Sequence, residues 1–193
     1  GITYKLKKNH ISCNNPYEFP KRLAWDKNIP AISDQLYVFA NQHRGIAECY
    51  GKVDYIVIDS PILFSTIYHR YYTSDYPAEF YRQPFHDLVI DLHKQYDNIN
   101  ILLKRTEDSV HNNKERFQTR NQALDIDKMC KKVLDSENIP YHEIEVGPKT
   151  VKKIMKLIKT SEYHGEESVA WTTKEGASPV KIHWAILPSG RLE

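Results

Sequence analysis

Asp59 is the residue of this sequence whose position most clearly predicts chemistry. It follows Tyr55-Ile-Val-Ile58, an apolar run typical of a strand that is buried on both faces of a parallel sheet. Open α/β sheets bind ligands at the carboxyl ends of their strands, where a carboxylate can hold Mg²⁺ against nucleotide phosphates. The alternative is an aspartate that caps the next helix, because Ser60-Pro61 suits a helix start. The pattern alone does not decide between the two.

Basic residues follow the next predicted strand, residues 100–103. Between residues 104 and 132 there are eight Lys or Arg residues and five Asp or Glu residues, and the basic ones include Lys104, Arg105, Lys114, Arg116 and Arg120. Guanidinium groups bind phosphate oxygens bidentately, and cations can neutralise the charge of a phosphoryl group in transfer. A solvated, charged helix face would explain the same composition. The position directly after a strand favours the functional interpretation.

A third candidate group surrounds the end of a short predicted strand, residues 10–13. It contains Glu18, Lys21, Trp25, Asp34 and Gln35. The Glu18 carboxylate could accept a hydrogen bond from a substrate hydroxyl, and the Trp25 ring could stack on a base. The alternative is an exposed loop in which only Trp25 packs into the core.

The predicted elements alternate between strands and helices. Strands are expected at 10–13, 54–59, 100–103 and 139–146, and helices at 1–8, 33–50, 83–96, 122–135 and 149–159. This order predicts an α/β fold with a doubly wound parallel sheet flanked by helices. In the helix at 33–50, which Ser33 would cap, the expected buried face comprises Leu36, Phe39, Ala40, His43, Ile46, Ala47 and Tyr50.

The pattern changes after Thr160, which predicts a domain over residues 1–160 and an extension over 161–193. Residues 161–179 are polar, and residues 180–187 alternate as a terminal strand would. The sequence does not indicate the role of this extension. A protein partner could dock there, and a homo-oligomer is a second possibility.

Composition excludes several classes of protein. The 193 residues suffice for one domain with a sizeable core, and the net charge of +2 argues against nucleic-acid and membrane partners. The three cysteines lie far apart without C-x-x-C pairing, which argues against disulfides and zinc and favours the cytoplasm. No signal peptide or membrane-spanning apolar run occurs.

Three motifs, in order, resemble a known family. They are Tyr17-Glu-Phe-Pro-Lys-Arg-Leu-Ala-Trp25; Asp34-Gln-Leu-Tyr-Val-Phe-Ala-Asn-Gln-His-Arg44, followed by Gly51-Lys-Val-Asp54 and the Asp-Ser-Pro strand end; and Arg116-Phe-Gln-Thr-Arg120 before Ala123-Leu-Asp-Ile-Asp127. Residues 1–159 thereby resemble P-loop, nucleoside and nucleotide kinase-like ATPases of the AAA type. Within these the similarity is to the nicotinamide riboside kinase domain of the bacterial NAD regulator.

The resemblance implies ATP- and Mg²⁺-dependent phosphoryl transfer to a nucleoside, nucleotide or related ribosyl compound. It implies that Asp59 acts on Mg²⁺ and that Arg105, Arg116 and Arg120 close over the transferred group. Glu18 would orient the acceptor hydroxyl. Lys21, Trp25 and Gln35 join Glu18 as expected substrate-binding residues. A degenerate, non-catalytic nucleotide-binding or protein-interaction module is the alternative function.

The phosphate loop of that family, G-x-x-x-x-G-K-[ST], does not occur in these residues. By resemblance, the first strand and this loop would precede Gly1, and the strand would lie between those at 54–59 and 100–103. Three explanations are open. The segment exists outside this sequence, the protein is a degenerate member, or another segment such as 180–187 or a partner chain fills the central position.

Overall fold

The computed structural model of the chain describes residues 1–72, 82–104, 120–161 and 181–186. Its helices are α1 (Ile2–Lys8), α2 (Phe19–Trp25), α3 (Ile29–Ser33), α4 (Gln35–Cys49), α5 (Phe64–Tyr72), α6 (Arg82–Lys94), α7 (Arg120–Ser136) and α8 (Thr150–Ser161). Its strands are β1 (Cys13–Asn14), β2 (Tyr55–Ile58), β3 (Asp97–Lys104), β4 (His142–Glu145) and β5 (Lys181–Ile186). Among these described residues, no helix is long and apolar enough to cross a membrane.

The five strands form one parallel sheet in the order β1-β2-β5-β3-β4. Helices cover both faces of the sheet, because parallel strands are joined by crossovers that lie on the faces. The prediction of an α/β fold with a parallel sheet flanked by helices is therefore confirmed.

Strand β5 occupies the centre of the sheet. Tyr55 pairs with Lys181 and Ile58 with Trp184 on one side, and on the other side β5 pairs with β3 from Asp97 to Leu102. The central position between β2 and β3, for which the sequence left three explanations open, is thus filled by residues 181–186. The rest of the predicted extension lies outside the described residues, so the domain boundary at residue 160 stays a prediction.

Two apolar layers lie on opposite faces of the sheet. Strand side chains alternate between faces, so Ile56 and Ile58 pack with α4, α5, α6 and α7, whereas Tyr55 and Val57 face the layer of α1 and α8. Leu102 belongs to the first layer. The second layer also contains Leu6 of α1 and Ile154 and Ile158 of α8, the two helices that cover this face.

The buried face of α4 differs from the expected one. Leu36 is 49% exposed, and Ala40, Ala47 and Tyr50 are exposed too, whereas the buried residues are Gln35, Val38, Phe39, Gln42, Ile46 and Cys49. Two glutamines lie on the buried face because each one donates a hydrogen bond to a backbone carbonyl there. The helix is therefore rotated relative to a purely apolar assignment.

Helices α2 and α3 occupy a stretch for which no element was predicted. Proline occurs in the first turn of each helix, where its missing N–H costs nothing. The Asn28 side chain accepts a hydrogen bond from Ala31 N at 3.2 Å and caps α3, and Asp34 accepts one from Tyr37 N at 3.1 Å and caps α4. Ser33, the expected cap, is instead the last residue of α3.

We predict that Ile182→Pro strongly destabilises the domain, because Ile182 pairs with Ile56 and Asn98 in the sheet interior. Proline has no N–H to donate and is excluded from central strands. Urea unfolding should show a loss of at least about 1–3 kcal/mol, the cost of a buried unsatisfied backbone group. Ile182→Val, which retains the N–H and the β-branched side chain, is the matched control. An unchanged unfolding free energy in the proline variant would contradict the central position of β5.

Candidate functional site

Asp59 lies directly after β2, at the carboxyl edge of the sheet. It precedes Phe64, the first residue of α5, by a turn in which Phe64 N donates to Pro61 O, so Asp59 does not hold the cap position of that helix. Its Oδ1 atom is buried and has no hydrogen-bond partner among the described residues. A buried carboxylate oxygen without a partner is costly, and such an atom is a candidate ligand for a cation or a substrate.

Glu18 lies close to Asp59, close enough for its carboxyl group to act on the pKa of Asp59. Glu18 precedes the first residue of α2, and Lys21, one turn along that helix, forms an ion pair with it at 3.5 Å between Nζ and Oε2. Both side chains of this ion pair are partly exposed. Two carboxyl groups and one ammonium group therefore converge at the end of β2.

The surroundings of Asp59 raise its pKa to about 7. Burial is the largest cause, because it penalises the charged form, and the hydrogen bond and negative charge of Glu18 add to it. The positive charge of Lys21 acts in the opposite direction. Near neutral pH the pair of carboxyl groups therefore binds a proton that an ordinary aspartate would have lost.

Gln42 and Ser60 form the back of the site, and neither residue was predicted for this role. The buried Gln42 donates from Nε2 to Ser60 O at 2.9 Å and approaches Ser60 Oγ at 3.4 Å, which fixes the chain just after Asp59. A small cavity of about 20 Å³, enough for about one water molecule, adjoins these groups. It is lined by Pro16, Tyr17, Glu18, Gln42, Ile46, Ile58 and Ser60.

Trp25 is 58% exposed and therefore does not pack into the core, contrary to the alternative considered for it. The Nζ atom of Lys21 lies 5.4 Å from the centroid of its ring, a cation–π contact. Tyr17 and Tyr37 are also exposed nearby along the chain, and Tyr37 packs edge-on against Phe19 at 5.2 Å. An accessible aromatic face thus lies one helical turn beyond Lys21, about two turns from Glu18 along α2.

The remaining predicted residues are placed differently or lie outside the described part of the chain. Gln35 is buried, and its Nε2 donates to Ile32 O at 2.6 Å, a contact that joins α3 to α4. Arg105 and Arg116 lie outside the described residues, and of Arg120 only its position at the start of α7 is described. The structure thus places Asp59, Glu18, Lys21 and Trp25 in one region, and the roles of all eight predicted residues stay predictions.

The donor set at the end of β2 fits Mg²⁺. This ion prefers oxygen ligands, and proteins usually hold it through one or two carboxylates with waters and substrate phosphates completing the shell. Asp59, with its unpartnered Oδ1, and Glu18 supply two such carboxylates. Within the described ranges no group of three or more His, Cys, Asp or Glu residues could hold a metal ion, so phosphate and water oxygens would be needed.

We predict that the free protein loses stability as pH rises from about 4 to about 7, through the contribution of Asp59. Its pKa is raised in the folded protein, so the folded state binds the proton more tightly than the unfolded state does. The stabilisation is therefore complete below pH 4 and disappears as pH passes about 7. Urea unfolding at a series of pH values, in wild type and Asp59→Asn, measures the difference.

In Asp59→Asn this part of the pH dependence should be absent. In Glu18→Gln the pH dependence should persist over a narrower pH range, because burial of Asp59 is the largest cause of its raised pKa. Identical pH profiles for wild type and Asp59→Asn would contradict the perturbed carboxyl group.

Comparison with known proteins identifies a family. A family model described as an AAA domain matches residues 14–150, which is more than half of the chain and includes β2, β3, β4 and the Asp59 site. No curated protein and no solved structure matches the chain. The matched family consists of P-loop-type NTPases, which bind nucleotides with Mg²⁺. The chain belongs to this AAA domain family.

Proposed function

We propose that the protein transfers a phosphoryl group from ATP, in the presence of Mg²⁺, to a hydroxyl group of a nucleoside, nucleotide or related ribosyl compound. The observation that carries this proposal is the carboxyl pair of Asp59 and Glu18 at the carboxyl edge of the sheet, with Oδ1 of Asp59 unpartnered among the described residues. In α/β folds this edge is where ligands bind. The family match supports a nucleotide as the phosphoryl donor.

Glu18 is the residue proposed to orient the acceptor. A carboxylate can accept a hydrogen bond from a substrate hydroxyl and so direct the oxygen toward the phosphoryl group. The ion pair with Lys21 helps to hold the Glu18 carboxylate at the start of α2. The exposed Trp25 ring, one turn further along α2, offers a surface on which a base could stack.

Asp59 and Glu18 would hold the metal. A bound Mg²⁺ would supply positive charge against the negative charge that develops during transfer. Asp59 must release its proton to act as a ligand, and Glu18 is close enough to supply a second oxygen donor. The bond from Gln42 to Ser60 keeps the backbone after Asp59 in place, so the carboxyl group is oriented before any ligand arrives.

The phosphoryl donor would be contacted by Arg105 and Arg116, which lie outside the described ranges, and by Arg120 at the start of α7. Arg105, Arg116 and Arg120 are the cations proposed to close over the transferred group, a role that rests on the resemblance and on their position after β3. The resemblance to a nicotinamide riboside kinase domain makes ribosylated pyridines one acceptor class to include in assays. Purine and pyrimidine nucleosides are the others.

A non-catalytic, nucleotide-binding or interaction module is the competing hypothesis. Titration calorimetry with ATP and Mg²⁺ distinguishes the two, together with an assay for ADP formation over the panel of acceptors. ATP binding without ADP formation for any acceptor would favour the non-catalytic module. Absence of ATP binding would leave only an interaction role.

We predict that Asp59→Asn lowers kcat by at least about a hundredfold, the usual cost of removing one preorganised electrostatic group from an active site. The fold should be retained, because the amide has the size of a protonated carboxyl group. The assay is ADP release with mass-spectrometric detection of the phosphorylated acceptor, and circular dichroism checks folding.

Asp91→Asn is the matched control, since Asp91 is an exposed aspartate of α6 away from the sheet edge. Its turnover should equal that of wild type. Full activity in Asp59→Asn would remove the proposed role of Asp59.

A further inference from the structure

Helices α1 and α8 form a surface that is separate from the Asp59 site. They pack against each other on one face of the sheet. Their apolar residues Leu6, Ile154 and Ile158 are buried against the strands, so the opposite sides of both helices face solvent.

The charged side chains of α1 and α8 are all lysines. Helix α1 contributes Lys5, Lys7 and Lys8, all exposed. Helix α8 and the residue before it contribute a longer row of exposed lysines, namely Lys149, Lys152, Lys153, Lys156 and Lys159. No aspartate or glutamate occurs in residues 1–10 or 146–160. We call these eight side chains the lysine face.

The near-neutral net charge of the chain does not reveal how unevenly the charged residues are distributed. Eight of the 27 Lys and Arg residues lie on the lysine face and none of the 25 Asp and Glu residues does, so the rest of the chain is net negative. None of the eight lysines forms an ion pair with any residue in the part of the chain that the structure describes. The concentration of unpaired positive charge on one side of the domain requires counterions or an anionic partner.

We infer that the lysine face binds the phosphate backbone of a nucleic-acid duplex without sequence preference. Lys152, Lys156 and Lys159 recur about one helical turn apart, which sets them along one line on the exposed side of α8. A duplex presents a dense, regular row of phosphates, and each one neutralised by a lysine releases counterions. The face has no arginine, the residue that most often reads guanine, so backbone contact is the expected mode.

An anionic membrane fits this surface less well. Peripheral helices insert an apolar face rich in Leu, Phe or Trp below the headgroups. Here the apolar sides of α1 and α8 are already buried on the sheet, and among the described residues of the two helices only Tyr4 is a large exposed apolar side chain. A membrane would therefore be bound through lysines alone.

The test measures binding of a short DNA duplex of random sequence by fluorescence anisotropy at several salt concentrations. If six or more phosphates are contacted, affinity should fall at least about a thousandfold between about 50 mM and about 200 mM salt. Replacing Lys152, Lys156 and Lys159 together by Glu should weaken binding at low salt by tenfold or more. It should also reduce the slope of log K against log salt by about 0.9 for each phosphate that is no longer neutralised.

The matched control replaces Lys52, Lys94 and Lys132, which are exposed lysines elsewhere, by Glu. This variant has the same net charge and should bind like wild type. An equal loss in both variants would show a general charge effect and overturn the proposal. Absence of duplex binding, or binding only to vesicles that contain phosphatidylserine, would also overturn it. Because no turnover is measured, the outcome is independent of the proposed phosphoryl transfer.

Discussion

The backbone hydrogen bonds of β5 with its two neighbours are the interaction on which the rest of the domain depends. Strands β2 and β3 do not touch each other, and β5 alone joins them into one sheet. Without it, the inner edges of both strands would leave buried N–H and C=O groups unpaired. Both apolar layers rest on this sheet, and so does the site, since Asp59 follows β2 directly.

Local patterns in the sequence were sufficient where a residue's environment follows from its immediate neighbours. The run at 55–58 predicted a buried strand, and its end predicted the position of Asp59 at the sheet edge. Pairing of β5 could not be predicted in this way, because it joins residues far apart in the chain and the alternation at 180–187 fits several partners. The rotation of α4 depends on two buried glutamines, whose bonding to carbonyls hydropathy does not reveal.

Sequence patterns were also insufficient at the site, where the arrangement depends on contacts between separate elements. Glu18 and Lys21 were singled out from their types, but their contact with Asp59 depends on α2, a short helix that was not predicted. Gln42 was missed because hydropathy places glutamine on the solvent side of a helix, whereas here its side chain is buried and bonded to Ser60 O. Net charge was similarly uninformative about the lysine face, since a sum over the chain contains no information on which helix presents each charge.

The position of β5 also has a consequence for how the chain folds. β1, β2, β3 and β4 all precede β5 in the chain, so during synthesis they emerge before the strand that must lie between β2 and β3. Until β5 arrives, β2 and β3 present open edges, which are templates for aggregation. Contacts of such long sequence separation slow folding. Completion of the domain therefore depends on a late, long-range step. Before that step, a chaperone that covers the open edges of β2 and β3 would reduce aggregation.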